Sequence, residues 1–251
     1  MSIDSSMNSA SIRDRMIVAL DIKGMKEALE LVAKLEQQVT YVKIGMELFY
    51  GVGYPIIEQL KKQGLKVFLD LKIHDIPNTA GRAAAQLTKM NVDMFNVHVA
   101  GGARMMETVR EEMEKNLSTG QQQPLLIGVT QLTSTDENTL ANEIGIPYSM
   151  KQVVRQYAEL AQKSGLDGVV SSALDVKEIK EATGDAFITV TPGIRLAQGV
   201  VHDQKRITTP EEAICLGTDY MVIGRTITEA KEPAKVFQEI AQNIENQIIA
   251  K

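Results

Sequence analysis

A chain of 251 residues can bury one large core or two small ones, and its ordinary charged fraction excludes a disordered or fibrous protein. With 27 Lys and Arg against 32 Asp and Glu, the net charge of −5 argues against a basic nucleic-acid surface or a polybasic membrane patch. The single cysteine, Cys215, excludes an internal disulfide and a cysteine-rich metal site, and its helical setting predicts a small, buried side chain.

The chain opens with a polar, Ser-rich stretch, Met1 to Arg13, that lacks an apolar signal core. We read residues 1–14 as a loose tail and 15–251 as one catalytic domain of a cytoplasmic enzyme. No apolar run reaches the roughly 18 residues needed to span a bilayer. From there β-branched runs alternate with amphipathic helical patterns. The predicted strands are Met16 to Asp21, Tyr41 to Gly45, Lys66 to Lys72, Met94 to Val99, Leu125 to Gln131, Gly168 to Ser172, Phe187 to Thr191 and Tyr220 to Ile223. The predicted helices are Met25 to Leu35, Pro55 to Gln63, Thr79 to Met90, Arg104 to Lys115, Ser149 to Ser164, Val176 to Ala182, Pro210 to Leu216 and Pro233 to Gln247. Eight units of about 31 residues match a single α/β domain of the (β/α)8 TIM-barrel class better than a doubly wound sheet of five or six strands.

In such a barrel, chemistry sits where strands end and βα loops begin. The first strand ends in Ala19-Leu20-Asp21, where Asp21 serves either a site or the cap of the next helix. The second carries Lys43 among apolar neighbours, a site cation or a lysine snorkelling out of the core. The third is the most informative. In Phe68-Leu69-Asp70-Leu71-Lys72-Ile73-His74-Asp75-Ile76-Pro77-Asn78-Thr79, alternation puts Asp70 and Lys72 on one face and Leu69, Leu71 and Ile73 on the other. A buried Asp and Lys on one face need each other or a ligand to offset desolvation. Pro77 cannot continue a ladder, so the strand should end near His74 and leave Asp75 in the loop beyond.

Further along, His98 precedes Gly101-Gly102 and suits either acid–base work or an ordinary loop-shaping hydrogen bond. Thr130-Gln131-Leu132-Thr133-Ser134 offers hydroxyls and amides at the rim, as any turn can. Ser171 and Ser172 lack a histidine in register as a base, which favours hydrogen bonding over nucleophilic attack. The last two strands run into Thr191-Pro192-Gly193-Ile194-Arg195, with Asp203-Gln204-Lys205-Arg206 downstream, and into Gly224-Arg225 before a new helix start. Glycines that admit an anion to the backbone, arginines with bidentate donors and a helix N-terminus together form a phosphate grip; the alternative is solvated surface charge.

The string D-x-K-x-x-D-I-P-N-T resembles the signature of the orotidine 5'-monophosphate decarboxylase family. The resemblance extends to Ala-Leu-Asp21, Lys43, Leu132-Thr133-Ser134, Thr-Pro-Gly-Ile-Arg195, Asp203-Gln204 and Gly224-Arg225, from about Met16 to the end. It implies a cofactor-independent homodimer that converts orotidine 5'-monophosphate to UMP and carbon dioxide, the last step of pyrimidine synthesis. It further implies that Lys72 donates the proton at C6 within a charge network of Asp70, Asp75 and Lys43. Asp21 and Lys43 would hold the ribose, Thr133 and Ser172 the base or sugar, and Arg195, Gln204, Gly224 and Arg225 the phosphate. The loop carrying Asp75, Ile76 and Thr79 would cross a two-fold axis into the partner's site. Two other readings remain: a magnesium-dependent sugar-phosphate aldolase or synthase of similar barrel type, which shares D-x-K-x-x-D, and a phosphate-sugar sensor that has lost activity.

Overall fold

A computed structural model describes residues 11–196 and 208–249. Eight parallel strands close into a barrel in sequence order, each paired with its two neighbours in the chain and the last with the first. They are β1 (Met16–Ala19), β2 (Tyr41–Gly45), β3 (Lys66–Ile73), β4 (Met94–His98), β5 (Leu125–Val129), β6 (Gly168–Val170), β7 (Ile188–Thr191) and β8 (Tyr220–Ile223). The outer layer comprises α1 (Met25–Lys34), α2 (Met46–Val52), α3 (Pro55–Lys62), α4 (Pro77–Lys89), α5 (Gly102–Lys115), α6 (Met150–Lys163), α7 (Val176–Thr183), α8 (Pro210–Cys215), α9 (Arg225–Thr228) and α10 (Pro233–Ile249).

Strand period sorts the core into two shells. Outward residues such as Val18, Val42, Leu69, Phe95, Leu126 and Ile223 pack under the helices, joined by Ala84 of α4 and Phe237 of α10. Inward residues Ile17, Tyr41, Phe68, Met94, Ile127, Val190 and Val222 fill the barrel. At its base Tyr41 and Tyr220 meet edge to face with ring centroids 6.0 Å apart. Burial, with Asp93 and Tyr220 adding to it, holds the Tyr41 phenol well above its ordinary pKa, so the plug is neutral. Burying side chains such as Phe68 or Phe95 contributes about 1.5–3 kcal/mol each.

Several boundaries move for identifiable reasons. The helix expected from Thr79 begins at Pro77, whose fixed φ and missing N–H suit the first helical position. The strands expected to reach Asp21, Gln131 and Ser172 end at Ala19, Val129 and Val170, because closure pairs only the barrel waist and the last residues turn into loops. The α2 helix has no counterpart among the helices predicted from sequence: it buries only Leu48 and leaves Met46 and Tyr50 exposed, so its periodicity is weak. Cys215 corrects the expectation of a buried thiol. It lies on the outer face of α8, exposed, with Gln247 Nε2 3.4 Å from its sulfur.

Candidate active site

The inward positions above the apolar filling are polar, and they come from four consecutive strand ends. On β2, Lys43 is buried, and its Nζ lies 3.0 Å from Asp21 Oδ1 and 3.5 Å from Asp70 Oδ2. Gly45 makes room for this: a Cβ there would lie 3.3 Å from both Asp21 Oδ1 and Lys43 Nζ. Lys43 thus spans two carboxylates rather than snorkelling to solvent. Asp21 keeps an exposed side chain, whereas Asp70 is 14% exposed.

On β3 the expected division of faces holds. Leu69, Leu71 and Ile73 join the outer core, while Lys72 Nζ donates to Asp70 Oδ1 at 2.7 Å. The backbone that achieves this is irregular. Leu69 pairs with Phe95 and Ile73 with Val97, four steps along β3 against two along β4, so two residues are absorbed in a bulge that preserves parity. Lys72 sits inside the bulge at φ 53°, a left-handed conformation that costs a non-glycine residue ~1–2 kcal/mol. The bulge is not legible in the sequence, and its anchor only faintly so. The anchor is Asn96 of β4, which is buried, accepts the Lys72 backbone N–H through Oδ1 at 2.8 Å and donates from Nδ2 to Asp70 Oδ1 at 2.7 Å. Its inward parity, shared with Met94 and His98, is the one sequence signal that points toward it.

Asp70 therefore faces two ammonium groups and an amide. Burial pushes its pKa up, but the charges of Lys43 and Lys72 and the hydrogen bonds from Lys72 and Asn96 outweigh that, leaving the carboxyl below its ordinary value. Both of its oxygens are engaged by cations of the chain itself.

Asp75 stands apart from this cluster. It is exposed beyond the strand, its Oδ1 accepts the N–H of Ile76 at 2.7 Å, and it makes no ion pair with Lys72 of its own chain. Ile76, the residue before α4, is 68% exposed, and Thr79 lies half-buried in the first turn. His98 is half-buried beside His74, with ring centroids 5.4 Å apart. Burial, then His74 and Lys72, push the His98 pKa down, which favours a neutral ring.

The cluster opens into a cavity of about 1010 Å³. Its floor is apolar, from Ala19, Phe68, Val129, Val170, Val190 and Val222, and one wall carries Asp21, Lys43, Asp70 and Lys72. Across it lie Gln131 to Ser134, including Thr133, and the segments Pro192 to Arg195 and Gly224 to Thr226. Gly193 takes φ 81°, which glycine adopts without strain, and Arg195 and Arg225 reach the same rim from β7 and β8. One expected residue does not line the cavity: the Ser172 hydroxyl accepts the N–H of Leu174 as the cap of a short 3-10 turn, and Val170 forms the wall on that strand. Gln204 and its neighbours lie outside the described residues.

A family model described as orotidine 5'-phosphate decarboxylase / HUMPS family matches residues 14–240. The chain is 49% identical over 230 residues to an orotidine 5'-phosphate decarboxylase of Bacillus cytotoxicus, covering 92% of this chain and 97% of the relative. It is 47% identical over the same length and shares to the Bacillus cereus enzyme of that name. Among solved structures, it superposes on orotidine 5'-phosphate decarboxylase from Lactobacillus acidophilus with TM-score 0.83 and 38% identity, covering 92% of this chain and 99% of the other. An uncharacterized conserved protein from Geobacillus kaustophilus superposes with TM-score 0.82 at 41% identity, covering 91% and 99%. With a model spanning nearly the whole barrel and relatives near half identity, the chain belongs to the orotidine 5'-phosphate decarboxylase / HUMPS family.

Proposed function

We propose that the protein decarboxylates orotidine 5'-monophosphate to UMP and carbon dioxide, with Lys72 as proton donor. The observation that carries the reading is Lys72 Nζ held 2.7 Å from the partly buried carboxylate of Asp70 on the wall of a cavity large enough for a nucleotide. Loss of carbon dioxide leaves an electron pair at C6 that the pyrimidine cannot delocalise as a simple enolate. Preorganised positive charge must stabilise it. Lys72 supplies that charge and then its proton, forming the C6–H bond, and recovers a proton from water. A unit pair at 4 Å and effective dielectric near 20 interacts by about 4 kcal/mol, roughly three decades in rate if expressed only in the transition state. The remainder must come from other contacts. Binding the phosphate far from C6, through Arg195, Gln204, Gly224 and Arg225, directs remote binding energy to the reacting centre. Asp21 and Lys43 hold the ribose and Thr133 the base or sugar; Ser172, buried and capping the turn at Leu174, is left out of this reading.

The same reading makes the protein a cytoplasmic homodimer with shared sites, in which Asp75, Ile76 and Thr79 serve the partner's cavity. An exposed carboxylate with no ion pair to its own Lys72, beside a 68% exposed isoleucine, supports it. No helix among the described residues is long and apolar enough to cross a membrane. The test is ultraviolet absorbance on mixing with orotidine 5'-monophosphate, since the product chromophore differs; an unchanged spectrum at high protein concentration sinks the proposal. Turnover that vanishes with a chelator would instead favour the magnesium-dependent aldolase reading. Tight binding without turnover would favour the sensor.

A further inference from the structure

We infer that Asn96 is a positioning residue for the decarboxylation, acting through Lys72 and Asp70 rather than on substrate. The inference rests on the reading of Lys72 as proton donor. Three observations converge. Lys72 sits in a left-handed conformation that a side-chain-bearing residue adopts only when its surroundings compel it. The two residues absorbed between Leu69 and Ile73 break the β3–β4 pairing at that point, so the Lys72 N–H has no ladder acceptor on β4. Asn96 Oδ1 takes its place at 2.8 Å. With its other atom the same amide fixes Asp70, donating at 2.7 Å to Oδ1, the oxygen that also receives Lys72 Nζ.

Asn96 is thus a two-point clip. It holds the backbone from which the lysine springs and the carboxylate toward which that lysine is aimed. At 1% exposure it does not line the cavity, whereas Asp70 and Lys72, which it holds, do. Asparagine suits the position because one planar group must accept from a backbone amide and donate to a carboxylate at once. Ser, Thr or Asp in its ordinary ionised form cannot meet both demands with that geometry.

The test is a set of variants at Asn96, assayed with orotidine 5'-monophosphate and titrated with UMP. Asn96→Ala removes both contacts. The expected result is a kcat lowered about a hundredfold, the loss a misplacement of about 1 Å can cause, with UMP affinity unchanged within about threefold. Asn96→Asp keeps the acceptor and, when protonated, the donor as well. A carboxyl crowded against Asp70 is held protonated to higher pH than usual. Its kcat should therefore climb toward wild type as pH falls, a trend that Asn96→Ala should not share. A kcat for Asn96→Ala within about threefold of wild type overturns the inference, as does a kcat loss matched by an equal loss of UMP affinity. Should Asn96→Ala fail to fold, the pH profile of Asn96→Asp decides: relative to wild type, a flat profile overturns it and a rise at low pH supports it. Lys72→Ala, measured in parallel, separates the two readings. Turnover surviving there removes Lys72 as donor, whereas an inactive Lys72→Ala beside a fully active Asn96→Ala removes Asn96 alone.

Discussion

The two ends of this barrel use the same ion pairs to opposite purpose. At the N-terminal end, Asp93, Asp167 and Asp219 stand just before β4, β6 and β8, and each reaches back to the strand before it. Their carboxylates accept the backbone N–H of Val67, Leu126 and Thr189, all at 2.7 Å. Each also binds a cation from a preceding helix: Lys61 at 2.6 Å, Arg110 at 2.7 Å and Lys180 at 2.7 Å. At the C-terminal end Asp70 also takes a lysine at 2.7 Å, but its partners are side chains: Lys43, Lys72 and Asn96. Burial does not tell the ends apart, since Asp219 and Lys180 are 10% and 13% exposed and Asp70 and Lys43 are 14% and 10%. What differs is where the spare valence goes. A carboxylate tied to a backbone amide closes a strand, whereas one that gathers two ammonium groups beside a cavity stores charge for a ligand.

Substitutions can separate the two roles. The largest expected effect is at the C-terminal end: Lys72→Ala should lose at least about a thousandfold in kcat while its melting temperature stays within a few degrees, read by the absorbance assay and thermal unfolding. Substantial turnover would make the Asp70–Lys72 pair as structural as its counterparts at the base. The shared-site reading predicts a second large effect. Lys72→Ala and Asp75→Asn homodimers should each be nearly inactive, yet unfolding and refolding them together should restore about a quarter of wild-type activity, from one intact site in half the dimers. Properly formed heterodimers without recovery would place Asp75 in its own subunit's site.

At the base the effect should fall on stability. Asp219→Ala leaves Lys180 and the Thr189 N–H without their buried acceptor, and about 3 kcal/mol should be lost in denaturant titrations with kcat per folded molecule unchanged. A selective loss of kcat would erase the distinction between the ends. Arg225→Ala, at the cavity rim, should worsen both kcat and KM for the nucleotide yet barely change slow turnover of the phosphate-free nucleoside. Equal damage to both substrates would make Arg225 structural.

The smallest effect concerns acid. Because the pKa of Asp70 is lowered on folding, its contribution to stability is present above the unfolded carboxylate value of about 3.9 and is lost as pH falls toward and through the folded value. Asp70→Asn should therefore flatten the acid limb of stability below about pH 4. An unchanged limb would mean that Asp70 is no better solvated by its lysines than by water.

Much of this architecture is legible in the amino-acid sequence. Eight β-branched runs at regular spacing determine a barrel, since a short parallel strand buried on both faces must be apolar and its crossover helix amphipathic. Parity within Asp70-Leu71-Lys72 already puts acid and base on one face, and inward parity does not depend on where the strand bends. Tertiary structure alone decided how far Lys72 turns, because a two-residue bulge leaves parity intact and so leaves no trace in the pattern of polar and apolar residues. It alone enlisted Asn96, an ordinary polar residue until a strained N–H and a crowded carboxylate meet its two amide atoms. It also left Cys215 exposed, because which face a short helix buries is set by its packing, and here that face is Pro210 and Ala213.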